Sequence, residues 1–146
     1  MKLIPFDFDH MDIFEQKPED ILRYGEVTSE TPNPLAEYGV AFTAIDDGRI
    51  VCVGGILASS NYTGKCWTMV SKYGAGSGLR LLRLVKRQLE AMMKDMKIHR
   101  IETANLVDAH EHHRWCKLLG FQEEGLMRYY DDEKRDYLRF AKFMED

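Results

Sequence analysis

The sequence predicts an α/β domain with a mixed, mostly antiparallel sheet flanked by helices. Three observations carry this. Alternating apolar runs separated by turn residues form a strand meander in the first half. The longest helical periodicity follows directly on three alternate glycines, Gly74, Gly76 and Gly78. A strand, a second helix and a closing hairpin complete the chain. A meander ahead of the glycines is not the order of a doubly wound sheet. With 45% hydrophobic content in 146 residues, there is enough apolar matter for one compact domain spanning 1–146.

Met1 to Asp7 alternates weakly and reads as a short first strand, with Pro5 pointing to a sheet edge. A helix is expected from Pro18 to Tyr24, since proline suits the first turn, Glu19 and Asp20 suit its positive end, and Gly25 can end it. Val27 to Leu35, with Pro32 and Pro34 around Asn33, reads as an exposed loop. Tyr38 to Ile45 and Arg49 to Ala58 are strands joined by the hairpin turn Asp46-Asp47-Gly48. Gly54-Gly55 in the second implies a bulge or a close backbone approach. After a turn at Asn61 to Lys65, Cys66 to Ser71 makes a third strand.

Leu79 to Met96 is the long helix, its buried stripe drawn from Leu82, Val85, Leu89, Met92, Met93 and Met96. Arg80, Arg83, Arg87 and Lys94 follow the opposite side. No acidic residue precedes Glu90, although a helix start favours negative charge. A bound polyanion would offset that cost; so would long side chains splayed into solvent. Arg100 to Val107 reads as a strand, Asp108 as the cap of a helix running to Leu119, and Gly120 as its end. Glu124 to Tyr130 and Tyr137 to Phe143 form the closing hairpin over Asp131 to Asp136.

Composition narrows the function. A net charge of −4 argues against bulk nucleic-acid binding, and there is neither a secretory signal pattern nor an apolar run long enough for a bilayer. Cys52, Cys66 and Cys116 are odd in number and form no Cys-x-x-Cys pair, so they read as reduced core residues in a cytoplasmic protein. The segment Tyr73-Gly74-Ala75-Gly76-Ser77-Gly78-Leu79 is the chemical feature. Glycine permits positive φ and close approach of a ligand, and a helix start offers unpaired N–H groups to an anion. The segment reads as a phosphate or pyrophosphate cradle, against the alternative of a turn with no ligand.

The order of elements and this segment together resemble the GNAT superfamily of acetyl-CoA-dependent N-acetyltransferases. Gly76-Ser77-Gly78-Leu79-Arg80-Leu81-Leu82 matches the family's Gly-x-Gly-x-x-Leu-Leu, and Trp115 to Phe121 resembles the end of its last helix. The likeness runs from about Tyr38 to the C-terminus. It implies transfer of an acetyl group from acetyl-CoA to the primary amine of a small molecule or protein, by direct attack on the thioester. It further implies main-chain pairing of the pantetheine arm with Met69 and Val70, and amides from Tyr73 to Leu79 around the pyrophosphate. Lys72, Arg80 or Arg83 would neutralise the phosphates, with Asn105 at the end of the neighbouring strand completing the cofactor set.

Two departures concern the chemistry. Tyr73 stands where the signature has Gln or Arg, and Cys116 where the family has its general-acid tyrosine. Cys116 is therefore the candidate proton donor, against a plain buried helix residue, with Tyr129 or Tyr130 as substitutes. Glu102 is the candidate base, against a salt-bridged glutamate. Glu30, Glu37, Asp131 and Asp132 would suit a cationic amine or serve solubility.

His110, Glu111, His112, His113 and Cys116 share one helix, but no partnering Cys/His pair follows, so a solvated, pH-sensitive face is expected and no metal. The rival function is a non-catalytic GNAT-fold structural or interaction module. Some tailed phages carry an internal virion protein of this kind, which Cys66-Trp67 and His113-Arg114-Trp115 loosely resemble, placing the chain in virion or host cytoplasm. A regulator that senses acetyl-CoA without turnover is a third reading.

Overall fold

A computed structural model describes residues 1–144. Its strands are β1 (Lys2–Pro5), β2 (Val40–Asp46), β3 (Arg49–Ala58), β4 (Thr63–Val70), β5 (Arg100–Leu106), β6 (Gln122–Met127) and β7 (Tyr137–Phe143). Its helices are α1 (Pro18–Tyr24), α2 (Pro34–Tyr38), α3 (Gly74–Met96) and α4 (His110–Leu118). The strands form one seven-stranded sheet in the order β1-β2-β3-β4-β5-β7-β6. The β1–β2, β2–β3, β5–β7 and β6–β7 pairs are antiparallel, and β4–β5 is parallel. The expected mixed, mostly antiparallel α/β class is what forms. The chain divides into two compact units, Met1–Leu57 with Trp67–Leu84, and Ala58–Cys66 with the residues from Val85 on. Among the described residues no helix is long and apolar enough to cross a membrane.

In the first unit β1 is the edge strand that Pro5 anticipates, pairing with β2 over Lys2↔Ile45 to Pro5↔Phe42. Asp47 and Gly48 both take positive φ, 52° and 73°, as a two-residue hairpin turn that follows the sheet's twist requires. The expected bulge at Gly54-Gly55 does not form: the two pair in register with Phe42 and Ala41, and the irregularity falls at Ala44/Ile45. Close approach is the reason for glycine here. A Cβ on Gly54 would sit 2.8 Å from the Trp67 carbonyl oxygen, and one on Gly55 would overlap that of Val40.

α1 has its expected bounds and ends at Gly25, φ 82°. Within the segment read as a loop, Pro34–Tyr38 is instead a short helix, because Asn33 Oδ1 accepts from the Ala36 amide and Pro34 fits the first turn. β2 therefore starts at Val40 rather than Tyr38, and β4 starts at Thr63 rather than Cys66. Met11, Phe14, Ile50 and Val53 form a core cluster, packed by Phe6, Val27, Ile45, Trp67 and Met69.

The second unit holds a crossed arrangement in which β7 lies between β5 and β6, paired from Arg100↔Phe143 to Leu106↔Tyr137 on one side. α4 starts one residue after Ala109, and Asp108 makes no side-chain cap. Its end is as expected: Gly120 adopts φ 97° and the Phe121 amide donates to the Cys116 carbonyl over 2.9 Å. Lys142, buried on β7, donates from Nζ to the Leu119 carbonyl over 2.7 Å and so caps the same terminus.

α3 starts five residues earlier than the periodicity implies, and its backbone breaks at Gly78, φ 46° and ψ −124°. Past the break, Leu81 lies four residues before Val85 on the buried stripe. Leu81 is buried in place of the expected Leu82, and Val85, Leu89, Met92 and Met93 continue the stripe while Met96 is half-buried.

Candidate functional site

The glycine segment hangs from Ser71. Its hydroxyl donates to the Ile50 carbonyl over 2.7 Å and accepts the Tyr73 amide at 3.2 Å, while its own carbonyl accepts the Gly74 amide at 2.9 Å. The Gly76 amide donates to the Tyr73 carbonyl over 3.2 Å. Three of the amides expected to face an anion thus have partners within the segment. The glycines also differ in purpose. A Cβ on Gly74 would overlap Val70 Cγ1 and lie 3.1 Å from the Val51 carbonyl oxygen, so Gly74 serves packing. Gly78 alone uses a conformation that side chains avoid. A Cβ on Gly76 or Gly78 would meet nothing within 4 Å, which leaves open space beside this turn. Past the break, Leu79 opens a regular helical run whose leading amides carry the positive end of the helix dipole.

Negative charge reaches this helix start from elsewhere in the chain. Asp46, the last residue of β2, accepts on Oδ2 from Ser77 Oγ and Arg80 Nη2, both at 2.8 Å. The missing first-turn acid is therefore supplied in three dimensions, and no polyanion is needed to explain the basic start. Lys72 is also occupied: its ammonium lies 3.0 Å from Glu15 and its amide donates to the Glu15 carbonyl. Hydrogen bonds from Tyr73 and then Lys72 hold the Glu15 carboxyl below its usual range. The Arg49 guanidinium stacks 4.4 Å from the centre of the Tyr73 ring. Arg83 is exposed and has no ion-pair partner among the described residues.

In the second unit, Asn105 Nδ2 donates to Cys116 Sγ over 3.1 Å. Burial pushes the Cys116 thiol up to about 11, tempered by that hydrogen bond. Glu102 is tied to Arg100 at 2.9 Å, and Arg100 reaches Glu124 at 2.6 Å as well. Tyr129 and Tyr130 are exposed. Asp131 is committed to its own turn, accepting from Arg135 Nε, the Tyr137 hydroxyl and the amides of Glu133 and Arg135. The expected solvated histidine face is only partly so, because His113 is buried and its Nε2 bonds the Leu106 carbonyl at 2.8 Å.

In the first unit, Met69 and Val70 on β4 are half-buried, with the Met69 side chain against the core cluster. Trp67 Nε1 is buried with no hydrogen-bond partner among the described residues. Asp46 and His113 are the residues the sequence did not single out in these roles. Their partners lie 31 and 7 positions away, and only His113 had a local signal, its place opposite a buried strand end.

No family model matches the sequence, and no curated relative matches it. Solved structures do. An acetyltransferase of the GNAT family from Bacillus anthracis superposes with a TM-score of 0.73 at 17% identity, covering 98% of this chain and 95% of that one. The ribosomal-protein-S5-alanine acetyltransferase from Vibrio fischeri gives 0.69 at 17% identity over 99% and 93%. A GNAT family acetyltransferase from Elizabethkingia anophelis with acetyl-CoA bound gives 0.67 at 9% identity over 98% and 97%. The chain has the GNAT acetyltransferase fold.

Proposed function

We propose that the protein is an acetyl-CoA-dependent N-acetyltransferase acting on a primary amine. The observation that carries this is the helix break at Gly78, which opens a regular run of α3 directly after β4, beside open space, in a chain with the GNAT fold. The cofactor end draws on the main chain of Met69 and Val70 and on the amides following Gly78, with the uncommitted Arg83 in place of Lys72 and Arg80 as the first phosphate partner.

In the reaction an amine nitrogen attacks the thioester carbon, the C–S bond breaks, the ammonium loses a proton to solvent and the departing thiolate gains one. Positioning and carbonyl polarisation account for most of the rate in such a transfer. Cys116 is assigned the return of the proton and Asn105 its orientation. A thiol pushed up to about 11 is protonated at neutral pH, as a donor must be. Glu102 is a weaker candidate base, since it is held by Arg100.

Calorimetric titration with CoA, and thiol release from acetyl-CoA across a panel of amines and peptides, test this. Gly76→Glu is the control, because it puts a carboxylate into open space without a clash. CoA binding lost in that variant supports the reading; no CoA binding by the natural chain overturns it. The commitment of Glu102 to Arg100, and a thiol rather than a phenol at 116, favour one second reading, a GNAT-fold module that does not turn over. It predicts no thiol release with any amine.

A further inference from the structure

The outer face of α4 carries a feature that acetyl transfer does not use. An open pocket of about 450 Å³ is lined by His110, His113, Arg114, Lys117 and Leu118. These positions recur at three- and four-residue spacing, so they form one stripe along the helix. Cys116, tied to Asn105, lies off that stripe. Two imidazoles, a guanidinium and an ammonium line the pocket, and no carboxylate does. Neither Arg114 nor Lys117 has an ion-pair partner among the described residues, in a chain whose net charge is −4.

His113 adds an independent observation. Its side chain is 7% exposed, yet it lines the pocket. Nε2 faces the Leu106 carbonyl, which has no proton to give, so Nε2 carries the hydrogen. Nδ1 has no hydrogen-bond partner among the described residues and presents its lone pair. The ring is fixed on its other sides, with His110 edge-on at 5.6 Å and Phe140 at 5.5 Å between centroids. That Nδ1 lone pair is an acceptor for an acidic hydroxyl, while the two unneutralised cations beside it receive the negative charge.

We propose that this pocket binds a phosphate monoester. Two fixed positive charges match a dianion. The donors differ in kind, a planar fork at Arg114, a point charge at Lys117 and imidazole N–H at His110, and they suit three oxygens better than the two of a carboxylate. Leu118 gives the apolar wall for whatever carries the phosphate.

The test is titration of the full chain with inorganic phosphate at constant ionic strength, reading the histidine ring resonances by NMR, with acetate as the carboxylate comparison. Free phosphoserine and a phosphoserine peptide form two further arms and distinguish a small metabolite from a modified protein as the source. Saturable shifts of His110 and His113 with phosphate, weaker with acetate, are expected. The Arg114→Gln/Lys117→Gln variant should bind roughly tenfold more weakly or worse, as the loss of two charge-assisted contacts implies, with its CoA affinity unchanged. Shifts that do not saturate, or that persist in the double variant, overturn the proposal. So does a parallel loss of CoA binding in the double variant, which would make the pocket part of the cofactor site.

Discussion

Asn105 Nδ2 and Cys116 Sγ lie 3.1 Å apart, so the thiol accepts a hydrogen bond while burial works against its charged form. Cys52, fully enclosed in β3, is pushed further, up to about 12. Both thiols ordinarily ionise near 9.0, and in the unfolded chain they lose their protons first. Stability is therefore full below about pH 9 and falls as pH climbs toward about 11 and 12. The loss is about 3 kcal/mol for Cys116 alone. Urea unfolding at pH 7.5, 9 and 10.5 should show the midpoint dropping across that window, with a shallower drop in Cys52→Ala. A flat midpoint would rule out this coupling.

Asp46 competes for the groups a phosphate would use. Asp46→Asn weakens two charge-assisted contacts, to Ser77 and Arg80, and should cost about 1 kcal/mol of stability. It also frees Arg80. CoA should then bind several-fold more tightly to the less stable protein, a divergence that calorimetric titration and thermal melting resolve together. Weaker CoA binding in the variant would show that Asp46 shapes the site instead of competing for it.

Gly76 and Gly78 should respond oppositely to alanine. At Gly76 there is space and φ is not positive, so Gly76→Ala should stabilise by about 0.5–1 kcal/mol through the unfolded chain. At Gly78 the backbone excludes a side chain, and Gly78→Ala should cost about 1–3 kcal/mol. Denaturant midpoints of the two variants, measured side by side, decide the matter; similar values would mean that the break is not fixed by glycine.

The end of α4 couples Gly120 to Lys142. A Cβ at Gly120 would lie 2.6 Å from Lys142 Nζ, in a backbone of φ 97°. Gly120→Ala should destabilise by roughly 1–3 kcal/mol from backbone strain alone. In a Lys142→Met background the cost should shrink but not vanish, since the strain outlasts the clash. An unchanged cost in both backgrounds would separate the two residues.

Local chemistry made much of the fold readable. α1, β3 and β7 have their expected bounds because proline, a two-residue turn and alternation mark them directly. Helix α2 was readable too, but two prolines around Asn33 outweighed a capping asparagine that needed only the next residue to start a turn. What local pattern could not carry was tertiary. The acid at the start of α3 comes from Asp46, and hydrophobic periodicity carries no signal of the backbone break at Gly78. The candidate site divides the same way. Gly74, Gly76 and Gly78 look alike in sequence, yet one packs, one is free and one breaks the helix. Glu102 could be read as base or as ion-pair partner, and only the nearness of Arg100 and Glu124 separates the two.

The place of β7 between β5 and β6 bears on how the protein is made. The ribosome delivers β5, which can pair with β4 on one side, and then β6, which has no partner strand until residues 137–143 emerge. The β5-β7-β6 end of this sheet therefore cannot assemble on the nascent chain in the order of synthesis. Until then β5 keeps one open edge and β6 is unpaired, a state in which exposed strand edges invite pairing with other chains.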